Sequence, residues 1–157
     1  MKKVRDYMKR DVVTFSPEES IFDVAETFAK LNISGAPIVE NGKVIGIISE
    51  TDIVKFMKSD IAPSSGILVE HPEFSLTLTF LDLVRKGISI SKELKKVSKI
   101  KVRDVMSKSV ISISPDANIF DAAELMEKKK VHRLVVMEEG KLIGIISKAD
   151  LLKALVE

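Results

Sequence analysis

Apolar residues change period along this chain in a fixed order, and the order occurs twice. The β-branched run Val12-Val13-Thr14-Phe15 reads as a strand or extended segment, closed by Ser16-Pro17. A helix opens at Ser20-Ile21-Phe22-Asp23, where Ser20 is a small polar N-cap and Asp23 lies three residues on, in reach of its amide. Ile21, Phe22, Ala25, Phe28 and Ala29 keep the 3.6-residue period, so one face of that helix is expected to be buried. Two short strands follow, Ala36-Pro37-Ile38-Val39 and Val44 to Ile48, turned by Asn41-Gly42, and a second helix is expected from Asp52 to Lys58. The succession then returns. Val110-Ile111-Ser112-Ile113 precedes Ser114-Pro115, and Asn118 caps a helix whose apolar positions are Ile119, Phe120, Ala123 and Met126. Leu134 to Met137 and Leu142 to Ile146 flank Glu139-Gly140, and a last helix runs from Asp150 to Val156.

The two copies align without a gap at an offset of 98, with about 23 of 56 positions identical between residues 4–59 and 102–157. Each opens with Val-Arg-Asp-x-Met, at Val4 to Met8 and Val102 to Met106. Each ends its hairpin with Gly-Ile-Ile-Ser-x-x-Asp, from Gly46 to Asp52 and from Gly144 to Asp150. The organisation is therefore a first repeat over 1–59, an insertion over 60–101 and a second repeat over 102–157. Within the insertion, Ser75 to Phe80 alternates like a strand and Lys92 to Lys99 resembles a short basic helix. It is too apolar for a plain linker, so it is expected to pack on the repeats. Gly46 and Gly144 interrupt strands that favour branched side chains, which points to a bulge or to close approach of a ligand or another strand.

Length and composition narrow the functions. With 157 residues, 45% of them hydrophobic, the two repeats are expected to share a core. A net charge of +2 does not call for nucleic acid or an anionic membrane. Lys92, Lys95, Lys96, Lys99, Lys101 and Arg103 form a basic cluster. Glu93 and Asp104 dilute it and no aromatics interleave it, so a solvated face is favoured over nucleic-acid binding. Lys128-Lys129-Lys130 is read as a solvated helix end suited to the C-terminal dipole. The apolar window Ile67 to Val84 is broken by Glu70, His71, Pro72, Glu73 and Asp82 and fails as a membrane span. Without cysteine, disulfides and thiolate chemistry are excluded. The N-terminus lacks the apolar run of a secretory signal, and a cytoplasmic location is expected.

With strand, helix, hairpin and helix repeated in this order, the sequence resembles a cystathionine-β-synthase (CBS) domain pair, or Bateman module. Its carriers here are the Val-Arg-Asp-x-Met opening, the Ser-Pro before the helix and Gly-Ile-Ile-Ser-x-x-Asp. The resemblance implies an α/β (α+β) fold of tandem β-α-β-β-α repeats packed face to face with pseudo-twofold symmetry, commonly joined again into a homodimer. It also implies an adenosine-type ligand, such as AMP, ADP, ATP or S-adenosylmethionine, in the clefts between repeats. Carried residue by residue, Asp52 and Asp150 would hold the ribose hydroxyls, and Ser49, Thr51, Ser147 and Arg133 the phosphates. The base would meet Ser16, Ile21, Ile33, Ser34 and Ala36 in one case and Ser114, Ile119, Val131, His132 and Leu134 in the other. A pocket is expected to combine the Asp of one copy with the base-holding residues of the other. The copies differ where Gly35 answers Arg133 and Ala149 answers Thr51, which puts equal occupancy by one charged nucleotide in question.

Three functions follow for comparison. The first is a non-catalytic adenosine-ligand sensor that passes occupancy to a regulated partner protein, with no cofactor or metal. The second is an interaction scaffold, because Ser49-x-x-Asp52 and Ser147-x-x-Asp150 are also helix capping boxes by spacing, a role that needs no ligand. The third, an enzyme, is disfavoured, since no nucleophile paired with a base is evident.

Overall fold

The computed structural model describes residues 1–57 and 99–157. The expected strand at Ser75 to Phe80, the packing of the insertion and all but the last residue of the expected basic helix lie outside them. The first repeat contains α1 (Val4–Tyr7), α2 (Ile21–Leu31), β1 (Gly35–Glu40), β2 (Lys43–Ser49) and α3 (Glu50–Phe56). The second contains α4 (Val102–Val105), β3 (Ser112–Ile113), α5 (Ile119–Lys129), β4 (Arg133–Glu138), β5 (Lys141–Ser147) and α6 (Lys148–Val156). The fold is mixed α/β, with helices packed around two small sheets.

The hairpins form as their turns require. Asn41 and Gly42 have φ of 52° and 76°, and Glu139 and Gly140 have 50° and 76°, so both central residues of each turn are left-handed. β1 pairs antiparallel with β2, and β4 with β5, each with a register shift two residues before the strand's end. In the first hairpin Ile38 faces Gly46 and Val39 faces Val44, which leaves Ile45 as a bulge. The leading strand differs between copies. β3 lies parallel to β4, whereas its counterpart is a single parallel bridge between Phe15 and Ile38.

Helix starts follow their caps. Ser20 Oγ accepts from the Phe22 amide, and Asn118 Oδ1 accepts from the amides of Phe120 and Asp121. α3 and α6 begin two residues before the expected Asp52 and Asp150, because Ser49 and Ser147 are the N-caps and the aspartates stand at the third helical position. On α5 the buried face is Ile119, Ala122 and Met126, not the expected set with Phe120 and Ala123. Phe120 is 67% exposed, since one step from Ile119 rotates it about 100° off the core stripe.

The shared core that size suggested is in fact two clusters, and each borrows from the other repeat. One gathers Phe15, Ile21, Val24, Phe28, Ile38, Ile48 and Ile53 around Val102 of α4. The other gathers Ile119, Met126, Leu134, Val136 and Ile146 around Val4 and Met8 of the first repeat. The one-turn helices α1 and α4, which periodicity over four residues cannot announce, are thus exchanged. The Val4 amide donates to the Ala117 carbonyl at 2.9 Å, and the Val102 amide donates to that of Glu19 at 2.8 Å. Past each exchanged helix the chain joins the other repeat's hairpin: Lys9 and Ile145 exchange backbone hydrogen bonds, as do Ser107 and Ile47. These crossings explain the strand glycines. A Cβ at Gly46 would lie 2.8 Å from both Met106 Sδ and the Ser107 carbonyl oxygen, and one at Gly144 would lie 2.6 Å from Met8 Sδ.

Ion pairs repeat the exchange on the surface. Arg103 reaches Glu18 at 2.8 Å and Glu40 at 2.9 Å, while Arg5 reaches Asp116 at 2.9 Å and Glu138 at 3.5 Å. Lys101 meets Glu18 at 2.6 Å. Lys101 and Arg103 of the basic cluster are therefore paired with acids of the first repeat. Among the described residues no helix is long and apolar enough to cross a membrane.

Candidate functional site

The hairpin ends of the two repeats approach each other, and among the described residues two clefts open between them, each built from both repeats. The larger, about 580 Å³, is walled by Ile47, Ser49, Thr51, Asp52 and Lys55 of the first repeat. Facing these are Ser107, Ser109, Ile111, Lys129, Lys130, Val131, His132 and Arg133 of the second. The smaller, about 210 Å³, reverses the contributions. Ile145, Ser147, Ala149 and Asp150 stand opposite Lys9, Asp11, Val12, Val13, Asn32, Ile33, Ser34 and Gly35, and Arg133 enters here too.

The aspartates are positioned by their own helix starts. Asp52 Oδ2 accepts from the Ser49 amide and hydroxyl, both at 2.9 Å, while Ser49 Oγ accepts from the Asp52 amide at 3.2 Å. Ser147 and Asp150 repeat this box, with distances of 2.9, 2.9 and 3.3 Å. The capping role expected from the spacing is therefore present at both sites. In each the capping bonds engage Oδ2. The serine hydroxyl hydrogen is directed to the carboxylate, not outward. Asp52 is half-buried, and Asp150 is 4% exposed.

Of the residues expected to bind, the larger cleft collects Ser49, Thr51, Asp52, Val131, His132 and Arg133, and the smaller collects Ile33, Ser34, Ser147 and Asp150. Six fall outside both walls in symmetric pairs. Ile21 with Ile119, and Ala36 with Leu134, are buried in the cores. Ser16 and Ser114 turn their hydroxyls to the amides of Glu18 and Asp116 at 3.2 Å, closing the turns before α2 and α5. In their place the walls contain Val13 and Ile111, equivalent β-branched residues of the leading strands. Lys129 and Lys130, read as a solvated helix end, line the larger cleft; Lys130 is the left-handed C-cap of α5, φ 54°.

The match of the CBS domain profile to residues 4–59 and 102–157 coincides with the two exchanged units. The chain belongs to the CBS domain family. As a CBS pair it is 41% identical over 161 residues to the uncharacterized protein MJ1426 of Methanocaldococcus jannaschii, covering 98% of this chain and 90% of that one. Against three further relatives of that organism it spans less than half of the longer protein, at 38, 46 and 44%. In fold it is similar to the CBS domain pair of protein MJ0100, solved in complex with 5-methylthioadenosine and S-adenosyl-L-methionine. That likeness has TM-score 0.72 and 20% identity, over 99% of this chain and 97% of that one. It is also similar to CBSX2 solved in complex with AMP, with TM-score 0.68 and 21% identity, over 99 and 97%.

Arg133 breaks the symmetry of this CBS pair. Its Nη2 donates to Ser34 Oγ at 2.8 Å, and its guanidinium fills the space that a side chain at position 35 would need. Burial pushes its pKa below the ordinary arginine value, opposed by the nearby charges of Asp52 and Glu50. Nothing in the sequence shows that positions 35 and 133 meet; equivalent positions touch only where the pseudo-twofold axis passes between them.

Proposed function

We propose that this CBS pair is a non-catalytic regulatory module that binds an adenosine-type ligand between its repeats and passes occupancy to a partner protein. The observation that supports it most is the larger cleft. There the carboxylate of Asp52 and the hydroxyl of Thr51 face Val131, His132 and Arg133 from the opposite repeat, around a volume suited to a nucleotide. A carboxylate whose capping bonds engage one oxygen keeps acceptor capacity for a ribose hydroxyl on the other. Lys55, Lys129, Lys130 and Arg133 then supply cations for a phosphate. The ligands named for the similar pairs, AMP, 5-methylthioadenosine and S-adenosylmethionine, share the adenosine moiety. Ligand contacts on two repeats at once give a means of signalling, because occupancy favours one relative placement of the repeats over another. A homodimer presenting that change to the partner completes the reading.

Thermal denaturation with AMP, ADP, ATP, S-adenosylmethionine and a guanosine control tests it. A ligand at 100 times its Kd stabilises by about 2.7 kcal/mol, and at least one adenosine compound is expected to raise Tm accordingly. Asp52→Asn, whose amide oxygen can still accept from the Ser49 amide, is expected to fold and lose the larger part of that shift. A scaffold without ligand is the second reading, favoured by the complete capping boxes. No shift with any adenosine compound would decide for it.

A further inference from the structure

We propose that Arg133 is one cation shared by two clefts, and that it assigns them different ligands: a phosphorylated adenosine compound beside Asp52, and an adenosine compound without negative charge beside Asp150. The inference rests on the nucleotide reading above and goes beyond it in saying which cleft takes which chemistry.

Positions 35 and 133 are equivalent in the two repeats, and they meet. A Cβ at Gly35 would collide with the Arg133 guanidinium, so a side chain there would displace Arg133 from its place beside Ser34. A duplicated site would have two arginines, one for each cleft, but here position 35 is glycine and one guanidinium stands between the repeats. That one belongs by sequence to the Asp52 cleft, beside Val131 and His132, yet it is tethered to Ser34 in the wall of the Asp150 cleft. Its guanidinium occupies room there, consistent with about 210 Å³ against about 580 Å³ on the other side.

The remaining charges are unequal in the same sense. Lys55, Lys129 and Lys130 line the Asp52 cleft, whereas the Asp150 cleft has Lys9 opposed by Asp11. A phosphate beside Asp52 meets three lysines and can draw Arg133 from the neutral Ser34 hydroxyl into a charge-assisted, forked pair. A second phosphate beside Asp150 would compete for the same guanidinium and face the Asp11 carboxylate. An uncharged or cationic adenosine compound has no such requirement. It gains the room over Gly35 when Arg133 swings away. Two anionic ligands therefore oppose each other, while one anion and one neutral nucleoside do not, and the coupling is reciprocal.

Calorimetric titration of the full chain with ADP, then with adenosine on the ADP-saturated chain, tests this. The expected result is one tight ADP per chain, a second ADP weaker by about tenfold or more, and one adenosine bound at least as tightly with ADP present as without it. Arg133→Ala is expected to weaken the tight ADP site by about tenfold or more and bring the two ADP sites within about threefold. Ser34→Ala, which cuts the tether and keeps the guanidinium, is expected to tighten the first ADP. Two equal ADP sites in the wild type, an unchanged separation in Arg133→Ala, or an ADP-saturated chain that takes no adenosine would each overturn the assignment and leave the nucleotide reading standing. Binding of neither ADP nor adenosine overturns the assignment, and the nucleotide reading falls with it only when AMP, ATP and S-adenosylmethionine also fail to bind.

Discussion

At Gly46 a hydrogen stands where a methyl group would meet a sulfur and a backbone oxygen of the other repeat, both at 2.8 Å. The oxygen belongs to Ser107, whose carbonyl and amide are both bonded to Ile47, so it cannot retreat without loosening that pair. Gly46→Ala is expected to cost about 1–3 kcal/mol in urea unfolding, the range for overpacked sites. Gly144→Ala is expected to cost less, because its nearest neighbour is the flexible end of Met8 and the Lys9 oxygen stands at 3.0 Å. The sequence pointed to a bulge or a close approach at both glycines. It could not name the neighbour, because the approaching residues lie about 60 and 136 positions away along the chain and no local pattern links them. The same holds at the site. Ser49-x-x-Asp52 is legible because a cap is a local device, whereas the contact of Arg133 with Gly35 is made by symmetry between distant copies.

Among the elements, hairpins and long helices were readable, and the one-turn helices were not. Asn41-Gly42 and the branched runs beside it specify a strand pair from within ten residues, and the caps at Ser20 and Asn118 fix where α2 and α5 begin. α1 and α4 are too short to hold themselves. Their stability comes from Val4 and Val102, both with no exposed surface, inserted into the core of the opposite repeat. Val4→Ala is expected to destabilise by about 2 kcal/mol. Scanning calorimetry of this variant should still show one endotherm at a lower temperature, since the residue it shortens is carried by one repeat and buried in the other. Two separated endotherms would contradict the exchange. The misjudged face of α5 has a different origin, because Phe120 and Ala123 flank the Ile119–Met126 line on one side and Ala122 on the other, and the core lies on the Ala122 side.

On the scale of the whole molecule, the surface charges fasten the repeats together in a pH-dependent way. Glu18 is held below its ordinary pKa by hydrogen bonds from Lys101 and Arg103, and Asp116 by those from Arg5 and Lys3. A carboxylate whose folded pKa is depressed binds protons more readily unfolded, so its contribution is fully present above the unfolded value and fades as pH falls through the folded one. Stability is therefore expected to decline as pH falls through and below the ordinary values of 4.5 for Glu18 and 3.8 for Asp116. The doubly neutralised Glu18→Gln, Asp116→Asn variant should have a lower Tm at neutral pH and a flatter Tm profile on acidification. Parallel profiles for variant and wild type would mean that these pairs contribute nothing. The exchange of opening helices also bears on how the molecule comes into being. A chain made from its N-terminus completes α2, β1, β2 and α3 while the valine that fills their core, 98 residues beyond its counterpart, is still unmade. The first repeat must wait, with Val24, Phe28 and Ile48 incompletely covered, until synthesis reaches Val102, so the two halves acquire their final packing together, late, and through contacts of long sequence separation that close slowly.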